Sequence, residues 1–465
     1  MEVTNHLFYR QDPGKQTLHR RITPTGEQYE EQKERWNAVA EYLRAALKDI
    51  SGCSIRTWLQ GSYKFGTQVR PMGCVREFDI DLGIYFEWKE GANTYGKPHS
   101  PDDIRALTQE RAEFYEHTEV IEVIDPPKPR CIRMRFDGNF HIDIPVYHLE
   151  SGRDLRRLAV EGNTWEYSDP KAIYVWFVNK FDDQRRAIAR RVIQYLKCWS
   201  ALTFEDKTGP SSILLTVLVG EVLSKLSANV IDSDDSAFFE VAQAINLRLR
   251  NDPEVRNPVD RDEVLTDRMD EGDFDNFLEK LDDLVVAADK AIEAEGLLDA
   301  ADLWGKIFQH FFPLPEVEDL QKVADSRYAV AKITTLEIKV RATPRLNENR
   351  VFEGTNQLAG IPRDCEITFW ITNMNAFPSD AVVEWTVRNE GGEAEYVNDL
   401  GHPAGNGAVT SERSAYLGTH YMDCVVRHHG RILGARRVPV KITGAPMPKR
   451  NPGRPVYGKF RSKRR

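Results

Sequence analysis

The sequence predicts an α+β protein of several domains, with an α/β region first, a mostly helical region second and a β-rich region third. Its 465 residues exceed what one hydrophobic core ordinarily serves. The apolar residues also change their spacing along the chain. Helical and alternating patterns mix at first, helical spacing dominates after Asp169, and short alternating runs begin near Ile333. We therefore expect domains at residues 1–150, 151–330 and 331–445.

The first region combines one long helix with several strands. Apolar residues recur at helical spacing across residues 28–48. The segment IRTWLQ predicts a strand that enters a turn at Gly61 and Ser62, and FDIDLGIYF predicts a second strand by its alternation. A hairpin is expected in CIRMRF and FHIDIPVYH, which a turn at Asp137 and Gly138 joins.

The later regions differ in kind from the first. Long helical structure is expected after Asp169 and again at about residues 274–312, and GPSSILLTVLVGEVLSKL predicts a buried helix that Ser211 or Ser212 caps. Short strands between Gly, Asn and Pro turns then predict a β-sandwich. The last segment, 446–465, holds eight Lys or Arg, four Pro and no acid, which predicts a disordered basic tail.

The composition argues against several classes of protein. Six cysteines are scattered without a CxxC pair or a zinc-type Cys/His cluster, which favours reduced thiols in a cytosolic protein. The net charge of −9 argues against a surface devoted to nucleic acid. No apolar run approaches the roughly 20 residues of a membrane span, and the N-terminus lacks the apolar stretch of a signal peptide. We expect a cytoplasmic protein without membrane contact.

Three aspartates lie on predicted strands in an unusual way. Asp79 and Asp81 are two residues apart, so both side chains face one side of the strand while Ile80 and Leu82 face a core. Carboxylates so close to each other repel unless a cation neutralises them. Asp143 lies between two isoleucines and projects in the same manner. Three such acids on one sheet predict a site for two Mg²⁺ ions, which bind carboxylates together with substrate phosphates.

The combination of motifs is more specific than any one of them, since a D-x-D pair alone is in most proteins a solvated strand face. GSYKFGTQVRP, EFDIDLGIYF and FHIDIPVYH together resemble the nucleotidyltransferases of the polymerase-β superfamily, most closely the bacterial cGAS/DncV-like group (CD-NTases with a SMODS-type core). SDPKAIYVWFV, RRVIQYLKCWS and GPSSILLTVLV extend the resemblance over roughly residues 30–315. It implies a nucleotidyltransferase palm with a helical lobe that closes the cleft.

The resemblance implies catalytic and binding roles in the palm. Gly61 and Ser62 would cradle the triphosphate, because a glycine turn lets backbone N–H groups approach phosphate oxygens. Asp79, Asp81 and Asp143 would be the catalytic residues and would hold two Mg²⁺ ions, with Mn²⁺ as an alternative. Asp143 would bind the ion that activates the acceptor hydroxyl.

The helical region supplies three further nucleotide-binding candidates by the same resemblance. Lys197 would offer its charge to the phosphates, and Ser211 and Ser212 would contact the base or ribose. The alternatives, which involve no nucleotide contact, are that Lys197 is simply solvated and that the two serines only cap a helix. His141 and His148 flank Asp143 and are expected to be structural.

The β-rich region resembles the adenylyl/guanylyl and SMODS C-terminal (AGS-C) sensor domain. VVEWTVRNEGGEA and HYMDCVVRHHGRI carry this resemblance, which implies an immunoglobulin-like β-sandwich. Trp370, Trp385 and Tyr421 are expected to belong to its core.

The function that the resemblance implies is the joining of nucleoside triphosphates, ATP or GTP among them, into a cyclic di- or trinucleotide second messenger. Such messengers activate a downstream effector in bacterial anti-phage (CBASS-type) signalling. Two alternatives stay open at this point: a transferase that modifies a tRNA or a protein, and a catalytically inactive nucleotide sensor. The intact motifs argue against the inactive sensor, and the acidic composition argues against a tRNA substrate. The basic tail is a candidate contact for a polyanion.

Overall fold

The structure is a computed structural model that divides the chain into two compact units, Met1–Pro315 and Glu316–Arg465. The predicted basic tail at 446–465 and the predicted boundary at residue 330 fall outside the described residues. The structure describes residues 4–12, 16–75, 77–88, 99–115, 120–124, 126–137, 140–150, 152–205, 208–315, 334–347, 349–429 and 431–444.

The first unit contains eleven α-helices and an eight-stranded sheet within its described part. The helices are α1 Asn5–Phe8, α2 Leu18–Ile22, α3 Gly26–Ser51, α4 Gly61–Phe65, α5 Pro101–Glu113, α6 Pro170–Lys180, α7 Asp183–Thr203, α8 Ser212–Leu223, α9 Asp234–Asn251, α10 Glu271–Glu293 and α11 Leu297–Phe308. The strands are β1 Ser54–Gln60, β2 Phe78–Trp88, β3 Val120–Val123, β4 Ile132–Phe136, β5 Phe140–Ile144, β6 Val146–Glu150, β7 Leu155–Val160 and β8 Thr164–Tyr167.

The predicted long helix is confirmed and is one turn or less longer at each end. Thr25 and Gln28 form a capping box at the start of α3, and Gly52 ends it in a left-handed conformation. Its buried face, which includes Val39 and Leu43, packs in one cluster with the apolar residues of β2. This packing leaves the opposite face of β2 free to carry polar side chains.

The sheet has the order β3-β4-β5-β2-β6-β7-β8, and β1 pairs antiparallel with β2. The segment FHIDIPVYH, which the sequence predicts as one strand, forms β5 and β6 with Pro145 between them, because proline has no N–H for the ladder. Both strands run parallel to β2. The sheet also continues through β7 and β8, beyond the predicted boundary at residue 150, although the sequence predicts mostly helix there.

The helices after the sheet follow the predicted pattern with two interruptions. The long stretch after Asp169 is broken between α6 and α7, where Asp182 accepts a hydrogen bond from the backbone of Arg185 and caps α7. The stretch at 274–312 is likewise divided into α10 and α11. Ser211 caps α8, as the sequence predicts. None of the described helices is both long and apolar enough to span a membrane.

The second unit contains two sheets that share one hydrophobic cluster. Its strands are β9 Ile338–Pro344, β10 Phe352–Thr355, β11 Leu358–Pro362, β12 Cys365–Ile371, β13 Val382–Arg388, β14 Gly401–Asn406, β15 Val409–Arg413, β16 Gly418–His428 and β17 Arg431–Gly444. One sheet has the order β10-β9-β12-β15, and the other has the order β11-β17-β16-β13-β14. A short helix, α12 Gly392–Tyr396, follows β13. The immunoglobulin-like class of this region stays a prediction.

Of the three aromatic residues expected in this core, only Trp385 lies there, with 1% of its surface exposed. Trp370 and Tyr421 are half-buried. Both differ from the expectation for the same reason. On β12 and β16 their neighbours Phe369 and Met422 point into the cluster, and successive strand residues face opposite sides.

Candidate active site

The three predicted aspartates lie together on two adjacent interior strands of the first sheet. Asp81 on β2 stands directly opposite Asp143 on the parallel strand β5, and Asp79 stands opposite His141. Ile80 on β2 is fully buried, so the acids occupy the face of the strand away from the core. The side chains of Asp79, His141 and Asp143 offer oxygen and nitrogen atoms that all lie within 4.8 Å of one another.

The environment of Asp81 opposes its negative charge. Burial raises the pKa of its carboxyl well above the ordinary value, and the charges of Asp79 and Asp143 raise it further, against the opposite effects of Lys197 and Arg133. A carboxylate held in this way is stabilised by a nearby cation. The geometry therefore fits a divalent ion with oxygen ligands.

Asp143 already has cationic partners. Arg133, on the neighbouring strand β4, donates two hydrogen bonds to it at 2.5 and 2.7 Å, and Lys128 lies 3.6 Å away. Burial raises the pKa of Asp143, but the hydrogen bonds and charge of Arg133 outweigh burial, and the pKa lies below its ordinary value. Asp143 is therefore ionised and fixed in orientation.

The ring of His141 lies between the carboxylates of Asp79 and Glu77. Nε2 of His141 lies 2.9 Å from Oδ1 of Asp79, yet these two buried atoms make no hydrogen bond to any described residue. The other ring nitrogen, Nδ1, is 2.7 Å from a carboxylate oxygen of Glu77, which can only accept. Oδ1 of Asp79 therefore lacks a hydrogen-bond donor within the described residues, and a cation bound beside Asp143 would satisfy it.

Only glycine fits at position 61 without displacing the side chain of Asp81. Its φ is +56°, and a Cβ at this position would lie 1.8 Å from Oδ2 of Asp81. The sequence predicts a turn here, whereas Gly61 and Ser62 are the first residues of α4. The missing side chain lets the backbone approach the carboxylates closely.

The remaining predicted residues converge on the same cleft. A cavity of about 290 Å³ is lined by Gly61, Ser62, Asp79, Asp81, Ser211 and Ser212. An adjoining cavity of about 330 Å³ is lined by Lys197 and again by both serines. Arg268 lines both cavities as well. The start of α8 thus forms the wall that faces the aspartates.

Lys197 is neither fully solvated nor distant from the acids. Its Nζ donates to the backbone oxygen of Thr67 at 3.1 Å. Burial lowers the pKa of this ammonium to about 8, although Asp79 and Asp81 favour the charged form. The lysine therefore carries a positive charge near neutral pH beside the cleft.

Sequence reasoning missed Arg133 and Arg268. The register of the predicted hairpin contains the signal for Arg133, because a turn at Asp137 and Gly138 places residue 133 opposite Asp143, as observed. Arg268 lies in a short turn with no local motif. Only the tertiary fold brings it to the cleft, where it lines both cavities together with Ser211 and Ser212.

Two interior strands carry these three aspartates beside a helix that starts at Gly61 and Ser62, and helices wall the cleft. This is the arrangement of a nucleotidyltransferase palm. Comparison with known proteins supports this class. The family described as "Cyclic GMP-AMP synthase DncV-like, nucleotidyltransferase domain" matches residues 55–147. The "Adenylyl/Guanylyl and SMODS C-terminal sensor domain" matches residues 318–443.

Individual relatives agree with the two family matches. A cyclic GMP-AMP synthase of Escherichia albertii is 27% identical over 94% of this chain and 96% of its own length. A c-di-GMP synthase of Roseivirga ehrenbergii is 24% identical over 50% of this chain and 66% of its own. The crystal structure of the DncV cyclic AMP-GMP synthase of Vibrio cholerae covers 66% of this chain and 97% of its own, with a TM-score of 0.55 and 18% identity, and shows a shared fold.

Together these matches support a nucleotidyltransferase of the bacterial cGAS/DncV-like type with a C-terminal domain of the AGS-C type. The two relatives are named for the synthesis of cyclic dinucleotides.

Proposed function

We propose that this enzyme uses two Mg²⁺ ions to join nucleoside triphosphates into a cyclic di- or trinucleotide second messenger. The observation that carries the proposal is the convergence of Asp79, Asp81 and Asp143 beside Gly61, in a geometry that favours a bound cation. Mn²⁺, which also takes oxygen ligands, is the alternative ion.

Each residue has a part in this reaction that follows from its position. Asp79 and Asp81 hold the ions, and Asp143, fixed by Arg133, completes the set of ligands. When bound, the ions lower the pKa of the attacking hydroxyl and stabilise the departing pyrophosphate. Backbone N–H groups at Gly61 and the hydroxyl of Ser62 bind the triphosphate, since no side chain intervenes at residue 61.

The opposite wall of the cleft holds the nucleotides in place. Lys197 contributes its charge to the phosphates from the second cavity. Ser211 already accepts a hydrogen bond from the backbone of Leu214 as the cap of α8, so its contact with a ribose or base uses the hydroxyl proton. Ser212 is exposed and has the freer hydroxyl.

The relatives support the choice of substrates. The protein of Escherichia albertii is named a cyclic GMP-AMP synthase and aligns over nearly the whole of this chain. We therefore propose ATP and GTP as substrates. We further propose that the product activates an effector in anti-phage signalling of the CBASS type in the bacterial cytoplasm, which rests on the family resemblance.

Incubation of the pure protein with each labelled nucleoside triphosphate and Mg²⁺ tests the proposal. We expect a small, phosphatase-resistant product whose mass shows the ring size, and none with EDTA or with Asp79→Ala combined with Asp81→Ala. Asp183→Ala, which removes a 96% exposed carboxylate, is the matched control and keeps full activity. Label in added tRNA or protein would favour the macromolecular alternative, and no turnover with any nucleotide would favour the inactive sensor.

A further inference from the structure

Two histidines and an aspartate meet at a hairpin of the second unit. Asp380 lies shortly before β13, His428 is the last residue of β16, and His429 follows it in the turn to β17. Each side chain offers a nitrogen or oxygen atom that can bind a metal ion, and these atoms all lie within 4.8 Å of one another. Among the described residues, the other group of this kind is the one in the candidate active site.

The pairing of β13 with β16 brings the aspartate to the histidines. Val382 on β13 stands opposite Arg427 on β16, so Asp380, two residues before Val382, comes level with the end of β16. Nε2 of His428 lies 3.0 Å from Oδ1 of Asp380. The spacing of residues in the sequence does not reveal this set, because the aspartate is distant from both histidines along the chain.

His429 adds a second imidazole beside the first. His428 pairs with Arg431, so His429 is the first residue of the turn that joins the two strands, and its φ is +48°. Turns of this kind favour Asn, Asp or Gly. A histidine here brings its ring centroid to 3.9 Å from that of His428. The turn therefore places two nitrogen ligands on one side of the hairpin.

The spacing of these atoms suits one transition-metal ion. Zinc binds histidine nitrogen and carboxylate oxygen at about 2.0–2.1 Å, so two of its ligand atoms in a tetrahedral site lie about 3.3 Å apart. The separation of 3.0 Å between His428 and Asp380 is close to this value. The side chain of Asp380 is 64% exposed and His429 is exposed too, so both can turn toward an ion without disturbing a core.

The choice of ligands selects the kind of ion. Mg²⁺ and Ca²⁺ take oxygen ligands, of which this set supplies one side chain, whereas imidazole nitrogens suit zinc. Of the two arginines beside the set, Arg427 is paired with Glu384 at 2.7 Å. Arg431 is exposed, so solvent and salt screen its charge. The carboxylate of Asp380 offsets part of the charge of a bound cation.

We propose that Asp380, His428 and His429 bind one Zn²⁺ ion, with water as the fourth ligand. The ion would tie the segment before β13 to the hairpin of β16 and β17. Because it would bind the folded chain and not the unfolded one, it would raise the stability of the second unit. This site is separate from the palm and takes a different metal from the Mg²⁺ proposed there.

Calorimetry with Zn²⁺ on the full chain tests the proposal. The parent protein for this test carries Asp79→Ala and Asp81→Ala, which remove two carboxylates of the palm that could also bind the ion. We expect His428→Gln and Asp380→Asn each to weaken one Zn²⁺ site of this parent by about tenfold or more, since even changes to residues behind metal ligands have such effects.

A third variant and a control separate the loss of a ligand from damage to the fold. Asparagine tolerates the left-handed backbone at residue 429, so His429→Asn removes the imidazole and keeps the turn, with the same expected loss. His402→Gln is the matched control and leaves Zn²⁺ binding unchanged. His402 lies 2.9 Å from Glu412, but among the described residues no third ligand joins this pair.

Thermal melting provides a second readout. Zn²⁺ should raise the melting temperature of the parent protein and have a smaller effect on the three variants, whose cooperative melting without Zn²⁺ shows that they are folded. A parent that binds no Zn²⁺, variants that bind it as tightly as the parent, or an equal loss in His402→Gln would overturn the assignment. None of these measurements depends on nucleotidyl transfer, so failure of this proposal is distinct from failure of the proposed reaction.

Discussion

The Cα of Gly61 lies so close to the carboxylate of Asp81 that a methyl group on it would stand 1.8 Å from Oδ2. The two residues are neighbours because Gln60, the last residue of β1, pairs with Asp81 on β2. The start of α4, which would bind phosphate, and a ligand for the metal ions are thereby held at a fixed separation. The proximity has a measurable consequence for catalysis.

Gly61→Ala should lower kcat/KM by about 10² or more, because the carboxylate of Asp81 must move away from the new methyl group. The backbone at φ +56° also becomes strained, at a cost of about 1 kcal/mol. Gly66→Ala is a matched control, since Gly66 has φ +68° while its nearest neighbour, Arg190, would lie 3.5 Å from the new Cβ. Equal loss of activity in both variants would show that strain alone is responsible.

The substitution Asp143→Asn should lower the rate of nucleotidyl transfer much more than the affinity for nucleotide. The amide keeps the size of the side chain but removes the charge that pairs with Arg133. In the proposed mechanism it also removes the ion ligand nearest the acceptor hydroxyl. We expect kcat to fall by about 10³ or more while nucleotide affinity, measured by calorimetry, changes less than about tenfold. Arg133→Met, which leaves Asp143 ionised beside Lys128, should lose less activity. A complete loss of both affinity and rate in Asp143→Asn would instead indicate a structural role.

His19 should make stability depend on pH. Burial, and then the charge of Arg191, lower the pKa of His19 to about 4 from 6.5. Above pH 6.5 the ring of His19 is mostly neutral in both the folded and the unfolded chain. As the pH falls from 6.5 towards 4, His19 becomes protonated in the unfolded chain but stays neutral in the folded chain. The free energy of unfolding therefore decreases. Between pH 7.5 and 5 the loss is about 2 kcal/mol.

His19→Gln removes this titration, so chemical denaturation at several pH values should show a smaller decline in stability for the variant than for the wild type. His402→Gln changes an exposed histidine and serves as the control. Parallel pH profiles for His19→Gln and the wild type would contradict the prediction.

A chain that ends at Pro315 should fold without the second unit. The two units are separately compact, and each has its own hydrophobic cluster. We expect the fragment 1–315 to unfold cooperatively and to retain nucleotide binding, with altered basal activity if the second unit regulates the first. Aggregation of the fragment would show that its stability depends on the rest, and unchanged activity under all conditions would argue for a passive second unit.

The basic tail should bind polyanions in a salt-dependent way. Residues 446–465 hold eight positive charges. If they bind duplex DNA, the logarithm of the binding constant should fall with the logarithm of the salt concentration, at a slope of about −0.9 per phosphate contact. Deletion of these residues should abolish this salt-dependent binding. Basal synthesis should be unaffected, because the candidate active-site residues lie far upstream. Nucleic-acid binding that persists in the deletion variant would place the polyanion site elsewhere. If the full chain binds no nucleic acid, the tail does not have this role.

The sequence by itself determines the local geometry of the candidate site. Alternation on a strand places Asp79 and Asp81 on one face, and the Asp-Gly turn sets the register in which residue 133 meets Asp143. The serine cap of α8 is equally local. Such features follow from backbone period and turn chemistry, which neighbouring residues control.

Only the tertiary structure decides which distant segments meet. The parallel pairing of β2 with β5 brings Asp81 opposite Asp143, and no local pattern specifies the partner of a parallel strand. The packing of α7 and α8 against the palm places Lys197 and Ser212 across the cleft.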